Sequence, residues 1–365
     1  AASQAYAEKF DNKKPTDKNL TNAEKEKRYE WLSRGLYEAL CNFIKQAQGP
    51  EYALYAALYE LDYVPVLKVF KDTLDVGADV KIVYESRAGK TQTLQNENAL
   101  REAGFNINDR KVTFARKNTD GIPHNKFIIL LRNNKPLMVW TGSTNLSEGG
   151  IFGHANVGHV VKDASVAAEY LKYWLMLKDD PDKQTLVKKV SSTWPDITEK
   201  DIEKNDISVV FSPRRGYKML KLYAGFFGNT SRMANITLPF NLDKRFITQI
   251  EGKSPAIRYI ILNSGKKNFE IAEKYNPDPD VVIAPGSKIE KMWHQWLNEI
   301  HTGLNGANVL YIHTKFLLVD PLGDKPLLIT GSANFSEPST NKNDENMLII
   351  SCSNKKGETR VQDIY

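Results

Sequence analysis

Cysteine and long apolar runs are scarce in this chain. Its 365 residues include only Cys41 and Cys352, which lie far apart in the sequence and suggest no disulfide framework of the kind that small secreted domains use. No apolar run approaches the roughly 20 residues that cross a bilayer. The sequence therefore disfavours an integral-membrane protein, and we expect a soluble protein without a membrane segment.

The overall composition suits a compact protein, since 41% apolar residues in a chain of this length can bury one large bilobed core or two related domains. The chain opens with Ala-Ala and no Met, as after processing or trimming, so the sequence does not indicate a cellular location. A net charge of +6 favours a polyanionic partner such as nucleic acid. The basic residues stand in three groups, each equally consistent with a solvated surface: Lys25, Lys27 and Arg28; Arg110, Lys111, Arg116 and Lys117; Arg214, Arg215, Lys218 and Lys221.

Two segments, beginning at His124 and His313, carry one motif at one internal spacing, displaced by 189 positions. Nine of their twenty-five positions are identical, and apolar residues recur at matching places between them. This pattern predicts that His-x-Lys opens a buried strand and that a second strand brings Gly-Ser-x-Asn to the same region. The identical pairs are His124/His313, Lys126/Lys315, Phe127/Phe316, Thr141/Thr330, Gly142/Gly331, Ser143/Ser332, Asn145/Asn334, Ser147/Ser336 and Glu148/Glu337.

Each copy supplies an imidazole, an ammonium, an amide and a hydroxyl group, and neither contains a cluster of carboxylates or cysteines suited to a metal ion. Two copies together suit an anionic centre flanked by a nucleophile and by a proton donor. A phosphodiester held between His124 and His313 meets that description. The lysine and asparagine side chains would bind its non-bridging oxygens. We therefore expect no metal and no other cofactor.

These residues resemble the phospholipase D superfamily, whose signature is His-x-Lys-x4-Asp followed by Gly-Ser-x-Asn, present twice per active site. The first copy has Leu131 in place of the acid, and the second matches in full. The resemblance extends from Tyr52 to the C-terminus as two halves, and it implies an α/β fold in which similar halves pack about a pseudo-two-fold axis, like a dimer fused into one monomeric chain. The matching residues of the second copy are His313, Lys315, Asp320, Gly331, Ser332 and Asn334.

The resemblance also implies a mechanism, in which one histidine attacks phosphorus, the other protonates the departing oxygen, and water then hydrolyses the phosphohistidine. Superfamily members usually carry an acid after Gly-Ser-x-Asn that orients the histidine of the opposite half. Glu345 fits this place in the second half, whereas the offset of 189 puts Asn156 there in the first half.

A carboxylate that fixes one ring nitrogen makes the other nitrogen more basic. Our hypothesis is therefore that Glu345 serves His124 as the nucleophile and that His313 is the general acid. Asp320 is a second candidate for orienting a histidine. The predicted catalytic residues are His124, Lys126, Asn145, His313, Lys315, Asn334, Asp320 and Glu345, with Ser143 and Ser332 as substrate-binding residues.

The leading functional hypothesis is a metal-independent phosphodiesterase that acts as a nuclease on DNA or RNA. A phospholipase D-type hydrolase of phospholipid headgroups is the first alternative, because it would use the same two histidines. A weakly catalytic nucleic-acid-binding module is another, suggested by Leu131 and by the missing acid of the first half. We interpret Ser147 with Glu148 as a helix cap, and His154 and His159 as structural or surface residues.

The periodicity predicts an N-terminal helical extension over residues 1–50, a first half over 51–205 and a second half over 206–365. Polar residues as far as Thr21 are expected to be loose, and one helix is expected from Ala23 to Gln48 before Gly49-Pro50. Strands are then predicted at 52–59, 80–84, 111–114, 208–211, 235–239 and 256–262, with helices at 66–74, 94–103, 164–177, 183–191, 218–227, 243–250 and 289–300.

Overall fold

Three helices precede the first sheet in the computed structural model, which describes residues 2–252, 254–263, 265–285, 312–352 and 365. These are α1 (Ala2–Phe10), α2 (Asn22–Ser33) and α3 (Leu36–Ile44). The single helix predicted over this region is wrong, because Arg34 and Gly35 adopt φ values of 52° and 85° and so end α2 before α3 begins. The helix predicted at 289–300 lies outside the described residues.

The opening residues are ordered by aromatic packing, in contrast to the loose segment that was predicted. The ring of Trp31 on α2 lies 5.4 Å from that of Tyr6 and 6.1 Å from that of Phe10, between ring centroids. The buried Arg28 donates hydrogen bonds to the carbonyl oxygens of Phe10 and Lys13. These contacts fix α1 against α2.

The first sheet contains β1 (Tyr52–Leu58), β2 (Asp79–Glu85), β3 (Thr113–Arg116), β4 (Lys126–Arg132), β5 (Lys135–Gly142) and β6 (Gly158–Val161). Its strand order is β3-β2-β1-β4-β5-β6. The first three strands are parallel and are joined by α4 (Val64–Asp75) and α5 (Thr91–Glu102), whereas β4, β5 and β6 are antiparallel to their neighbours. α6 (Ala164–Leu177), α7 (Lys183–Thr193) and α8 (Glu199–Lys204) follow.

The second sheet contains β7 (Ile207–Ser212), β8 (Met233–Leu238), β9 (Ile257–Leu262), β10 (Val281–Pro285), β11 (Phe316–Val319), β12 (Leu327–Gly331) and β13 (Glu345–Ser351). Its order, β10-β9-β8-β11-β12-β13-β7, repeats that of the first sheet and adds β7 at one edge. The described helices of this half are α9 (Lys218–Gly228), α10 (Lys244–Glu251), α11 (Lys266–Tyr275) and α12 (Glu337–Asn341).

The two halves pack on each other through a core to which both sheets contribute. Tyr170 of α6 lies 5.0 Å from Phe127 of β4 and 5.2 Å from Phe211 of β7, measured between ring centroids. α6 therefore packs against both halves along one face, whose buried residues are Val166, Ala167, Tyr170, Tyr173, Trp174 and Leu177. This arrangement confirms the predicted α/β fold of two similar halves with an N-terminal helical extension.

The motifs lie at equivalent places in the two sheets. Lys126 pairs with Leu58, the last residue of the parallel strand β1, and Phe316 pairs with Thr237 near the end of β8. Because the carboxyl ends of parallel strands share one edge of a sheet, both His-x-Lys segments emerge where the two sheets meet. Among the described helices, none has the length and apolar character to cross a membrane.

Candidate active site

The two motif histidines lie side by side between the halves. The ring centroids of His124 and His313 are 6.2 Å apart, with an angle of 83° between the ring planes. His124 lies two residues before β4 and His313 three residues before β11, and their exposed fractions are only 5% and 3%. Two imidazoles at this separation can approach one small anion from opposite flanks.

Each motif lysine donates a hydrogen bond to the backbone of the motif histidine two residues before it. Lys126 Nζ donates a hydrogen bond of 2.7 Å to the carbonyl oxygen of His124, and Lys315 Nζ donates one of 2.6 Å to that of His313. Both ammonium groups are buried, which lowers the pKa of Lys126 to about 8 and that of Lys315 well below its ordinary value. By like-charge repulsion, Lys126 lowers the pKa of Lys315, and both lysines lower the pKa values of His124 and His313. An anion in this site would therefore be strongly favoured.

A carboxylate from the second half fixes His124. The Nδ1–H of this ring donates to Glu345 Oε2 over 2.9 Å, and the same oxygen accepts a bond of 2.7 Å from the hydroxyl of Ser332. Asn343 Nδ2 donates to Glu345 Oε1 over 3.1 Å. Burial lowers the pKa of His124 to about 4 despite the opposing effect of Glu345, so the ring is neutral at pH 7 and its Nε2 carries a free electron pair.

An amide from the first half fixes His313 in the equivalent way. The Nδ1–H of His313 donates to Asn156 Oδ1 over 2.9 Å, and Ser143 Oγ donates to the same oxygen over 2.8 Å. Asn156 Nδ2 in turn donates to the carbonyl oxygen of Gly150, which fixes the orientation of the amide. Burial, followed by the charge of Lys315, keeps the pKa of His313 well below its ordinary value.

The serines of Gly-Ser-x-Asn therefore contact the partners of the histidines. Each hydroxyl has one hydrogen, and those of Ser143 and Ser332 are donated to Asn156 and Glu345. This differs from the substrate contacts that were predicted for them, and it makes them positioning residues in this structure.

His154 is a site residue that sequence reasoning missed. Its ring centroid lies 5.5 Å from that of His313, and its charge would lower the pKa of His313. The offset of 189 places His154 opposite Asn343, the residue that donates to Glu345. Extending the comparison of the two halves beyond Gly-Ser-x-Asn would have identified this position.

An acidic residue also lies at the site, next to Asn145. Asn145 Nδ2 donates to Glu60 Oε2, while the buried Oδ1 of Asn145 accepts no hydrogen bond from the residues that the structure describes. Burial raises the pKa of Glu60, and the charges of Lys126 and Lys315 oppose that shift. The Oδ1 of Asn334 in the other half is likewise buried and accepts no hydrogen bond within the described part of the chain. Glu60 therefore accepts a hydrogen bond from the Asn145 amide group, which the sequence analysis assigned to binding the substrate.

Asp320 is not brought to this site. Its carboxylate accepts hydrogen bonds from the amide groups of Ser231, Arg232 and Met233, from 2.8 to 3.0 Å, at the start of β8. It lies beyond β11, at the opposite end from His313. The interpretation of Asp320 as an orienting acid is corrected accordingly: it stabilises a turn. Leu131, its counterpart in the first half, is packed in the core between the halves.

Several basic residues that were predicted to attract a polyanion are instead buried in ion pairs or backbone contacts. Arg116 pairs with Asp344 and Asp180 at 2.8 Å, and Arg214 pairs with Asp196 at 3.0 Å. Arg28 is buried under α1. These three residues therefore do not form part of a basic surface.

The sequence matches a family model described as "Cardiolipin synthase, PLD-like domain" over residues 40–177 and 256–361, which include both His-x-Lys motifs. The chain belongs to the phospholipase D superfamily. Members of this superfamily are phosphodiesterases and phosphotransferases, so the prediction of an enzyme from this group is confirmed. No curated protein matches the sequence.

Solved structures of several superfamily enzymes are similar to this chain. A phosphatidylserine synthase from Haemophilus influenzae Rd KW20 is 13% identical with a TM-score of 0.55, covering 87% of this chain and 80% of its own. A polyphosphate kinase from Porphyromonas gingivalis is 12% identical with a TM-score of 0.48; the match covers 88% of this chain but only 46% of the kinase. The phospholipase D family member Nuc from Salmonella typhimurium is 19% identical with a TM-score of 0.31, covering 39% of this chain and 87% of its own. At such identities the similarity concerns the fold.

Proposed function

We propose that this protein is a metal-independent phosphodiesterase that cleaves nucleic acid through a phosphohistidine on His124. The observation that carries the proposal is the pair of rings 6.2 Å apart, one fixed by a carboxylate and the other by an amide. A carboxylate stabilises the positive charge that develops on a histidine as it becomes a nucleophile, whereas an amide does not. This difference assigns the nucleophilic role to His124.

The first step forms a bond between His124 Nε2 and phosphorus as the bond to the leaving oxygen breaks. His313 Nε2–H supplies the proton that the leaving oxygen needs. The bound phosphodiester opposes the lysine charges that lower the pKa of His313, so the protonated ring becomes accessible in the complex. Lys126, Lys315, Asn145 and Asn334 bind the non-bridging oxygens.

The second step returns both histidines to their initial states. Water attacks phosphorus, its proton passes to His313, and the bond between phosphorus and His124 breaks. The products are the phosphate monoester and a free site. Both proton transfers in this scheme are made by His313, and His124 acts only as the nucleophile.

Nucleic acid is the substrate class that the net charge of +6 favours. A second candidate is the hydrolysis of phospholipid headgroups. It is favoured by the description of the matching family model as a cardiolipin synthase domain and by the similarity in fold to a phosphatidylserine synthase. Both reactions would use His124 and His313 in the same roles.

A substrate panel tests the proposal. Single-stranded DNA, double-stranded DNA, RNA and phosphatidylcholine vesicles are incubated with the protein in the presence of a chelator. We expect cleavage of a nucleic acid, abolished by His124→Ala and by His313→Ala but retained in His159→Asn, a histidine outside the pair. Cleavage of the lipid alone would contradict the nuclease assignment. Nucleic-acid binding without turnover, unchanged in His124→Ala, would contradict catalysis at this site.

A further inference from the structure

Tyr59 directly follows β1, and its ring lies beside the nucleophile of the proposed function. The ring centroids of Tyr59 and His124 are 5.2 Å apart, with an angle of 59° between the ring planes. Lys126 Nζ lies 5.4 Å from the centroid of the Tyr59 ring, which is within the range of a cation–π contact. The Tyr59 ring therefore borders both the His124 imidazole and the ammonium group that would bind the phosphate.

Backbone hydrogen bonds fix Tyr59 to the first motif. Its N–H donates over 3.0 Å to the carbonyl oxygen of Asn125, the residue that follows His124. The buried Asn96 donates from Nδ2 to the carbonyl oxygen of Tyr59 over 2.9 Å and accepts from the N–H of Leu61 over 3.0 Å. Because both backbone groups of Tyr59 are engaged, its ring has a defined position relative to His124, as a binding surface requires.

The two halves of the protein differ at this position. Lys126 pairs with Leu58, so Tyr59 is the first residue after β1, and the first residue after β8 is Pro239. Proline has neither a backbone N–H nor an aromatic ring, so it cannot reproduce the contacts that Tyr59 makes. The two flanks of the site therefore offer different surfaces to a group that is attached to phosphorus.

Part of the Tyr59 ring is accessible to such a group. The side chain is half-buried, and among the residues that the structure describes, His124 is the one aromatic ring that packs against it. Burial raises the pKa of Tyr59, and the charges of Glu60 and Glu85 add to this shift, so its hydroxyl stays neutral at pH 7. A neutral aromatic ring next to a phosphate-binding ammonium group suits a flat group of low polarity.

We propose that Tyr59 selects the group that stays on phosphorus after the first step, by stacking on the base of a nucleoside. The proposal rests on the proposed function, in which His124 Nε2 bonds to phosphorus and the leaving oxygen departs toward His313. The retained group is still attached to phosphorus in the phosphohistidine, so it lies within reach of a ring that contacts His124 and Lys126. The diacylglycerol that a phospholipase retains has no flat ring to stack here.

The test uses three esters with one leaving group, p-nitrophenolate. Thymidine 5′-(p-nitrophenyl) phosphate and its 3′ isomer leave a nucleoside on the phosphorus, whereas methyl p-nitrophenyl phosphate leaves a methyl group there. The bond between His124 Nε2 and phosphorus forms as the bond to the p-nitrophenolate oxygen breaks, and this oxygen departs as a stable anion that needs no proton. The absorbance of the released p-nitrophenolate gives kcat/KM for each ester.

Tyr59→Leu should lower kcat/KM about tenfold or more for whichever thymidine ester the unmodified protein cleaves faster, as expected for the loss of one stacked base. It should change kcat/KM for the methyl ester by less than about twofold. Tyr59→Phe keeps the ring and should stay within about twofold for all three esters. Equal losses for the thymidine and methyl esters would show that Tyr59 only positions His124, and they would overturn the proposal, as would no loss for either thymidine ester.

Tyr52→Leu is the matched control, because Tyr52 stands at the opposite end of β1. Tyr52 is also half-buried and also has a cation over its ring, the guanidinium of Arg132 at 5.3 Å from the centroid. The control should leave the ratio of kcat/KM between the thymidine and methyl esters unchanged. A change in this ratio as large as that in Tyr59→Leu would assign the effect to β1 as a whole and contradict the proposal.

Failure of the proposed function has a different signature. A phospholipase would cleave the p-nitrophenyl ester of a short-chain phosphatidic acid and neither thymidine ester, which would overturn both the nuclease assignment and the role of Tyr59. Cleavage of nucleic acid in the substrate panel, with thymidine and methyl esters cleaved equally well, would overturn the role of Tyr59 alone. If no ester is cleaved, calorimetric binding of thymidine monophosphate decides: binding that Tyr59→Leu weakens about tenfold and Tyr52→Leu preserves supports the role, and no binding overturns it.

Discussion

The two histidines differ in the group that holds each Nδ1, and this difference should separate their roles in kinetics. Glu345→Gln removes the charge that stabilises His124 as it becomes cationic, so we expect kcat to fall about 100-fold or more. Asn156→Asp adds a carboxylate beside His313 and should raise the pKa of that ring. A covalent adduct trapped by rapid acid quench should map to His124 in the unmodified protein, and mapping to His313 would reverse the assignment.

The pKa of His124 also predicts a pH dependence. The nucleophile must be neutral, and the pKa of His124 is about 4, below the ordinary value of 6.5. As pH falls from 7 through about 4 the ring gains a proton, so the acid-side decline in kcat/KM should be centred near pH 4. Initial rates on a nucleic-acid substrate across this range check the prediction. A decline centred near 6.5 would show that burial does not shift this histidine in solution.

Glu60 is expected to compete with the substrate for Asn145. Its carboxylate accepts the hydrogen bond of Asn145 and lies in the field of Lys126 and Lys315. Glu60→Gln removes one negative charge from an anion site, so tungstate, a phosphate mimic, should bind about tenfold more tightly at pH 8. Titration calorimetry measures this, with Glu97→Gln on α5 as a control acid. Unchanged affinity in Glu60→Gln would mean that the carboxylate does not occupy the anion position.

For individual residues, the repeated motif predicted the site well where both copies contain the same residue. It predicted the meeting of His124 and His313, because two copies of one strand arrangement must face each other across a two-fold axis. It could not predict Glu60, which has no residue of the same type in the other half, and it identifies the position of His154 only when the comparison is extended as far as Asn343. Asp320 was misinterpreted because its partners, the amide groups before β8, are fixed only by the tertiary fold.

Elements with a strong pattern were predicted closely. α6 was predicted with the bounds that it has in the structure, because its apolar face is continuous and Asp163 caps its first turn. α1 was missed since its burial depends on the rings of Tyr6 and Phe10 meeting Trp31. α8 was not predicted, although Thr198 and Asp201 form a capping box at its start. A continuous apolar pattern thus made α6 predictable, whereas α1 depends on contacts between residues that are distant in the sequence.

The turn before β8 should depend on the charge of Asp320. Backbone and side-chain hydrogen bonds lower its pKa to about 2 in the folded protein, against an ordinary value of 3.8. A lowered pKa contributes stability that is present above 3.8 and is lost as pH falls through about 2. Asp320→Asn should therefore cost about 1–2 kcal/mol in the free energy of unfolding at pH 7. Urea denaturation measures this, and kcat/KM should stay within about twofold because the site is distant.

Asp324→Asn is the matched control for that measurement, since Asp324 is an exposed acid on the adjacent turn. It should change the free energy of unfolding by less than about 0.5 kcal/mol. A large loss of activity in Asp320→Asn with little loss of stability would restore the original interpretation of Asp320 as an orienting acid.

In the whole molecule, the ion pair between Arg116 and Asp344 connects the halves beside the active site. Arg116 ends β3 of the first sheet, and Asp344 directly precedes Glu345 in the second half. Both side chains are buried, and Arg116 Nε lies 2.8 Å from Asp344 Oδ2. Because Asp344 N also donates to the carbonyl oxygen of Ile122, this contact fixes the segment that carries Glu345 against the one that carries His124.

Removing Arg116 leaves the buried carboxylate of Asp344 without its ion pair, whereas removing Asp344 leaves Arg116 paired with Asp180. Arg116→Met alone should therefore lower the free energy of unfolding by about 3–5 kcal/mol and Asp344→Leu alone by less, whereas the double variant should regain much of the loss seen in Arg116→Met. Urea denaturation of the four proteins gives the coupling energy between the residues. Activity should not return with stability in the double variant, because the apolar pair packs without directing Asn343-Asp344-Glu345 toward His124. Recovery of full activity in the double variant would show that the position of Glu345 is set by β13 alone. Single variants as stable as the unmodified protein would show that the packing of the two halves does not depend on this ion pair.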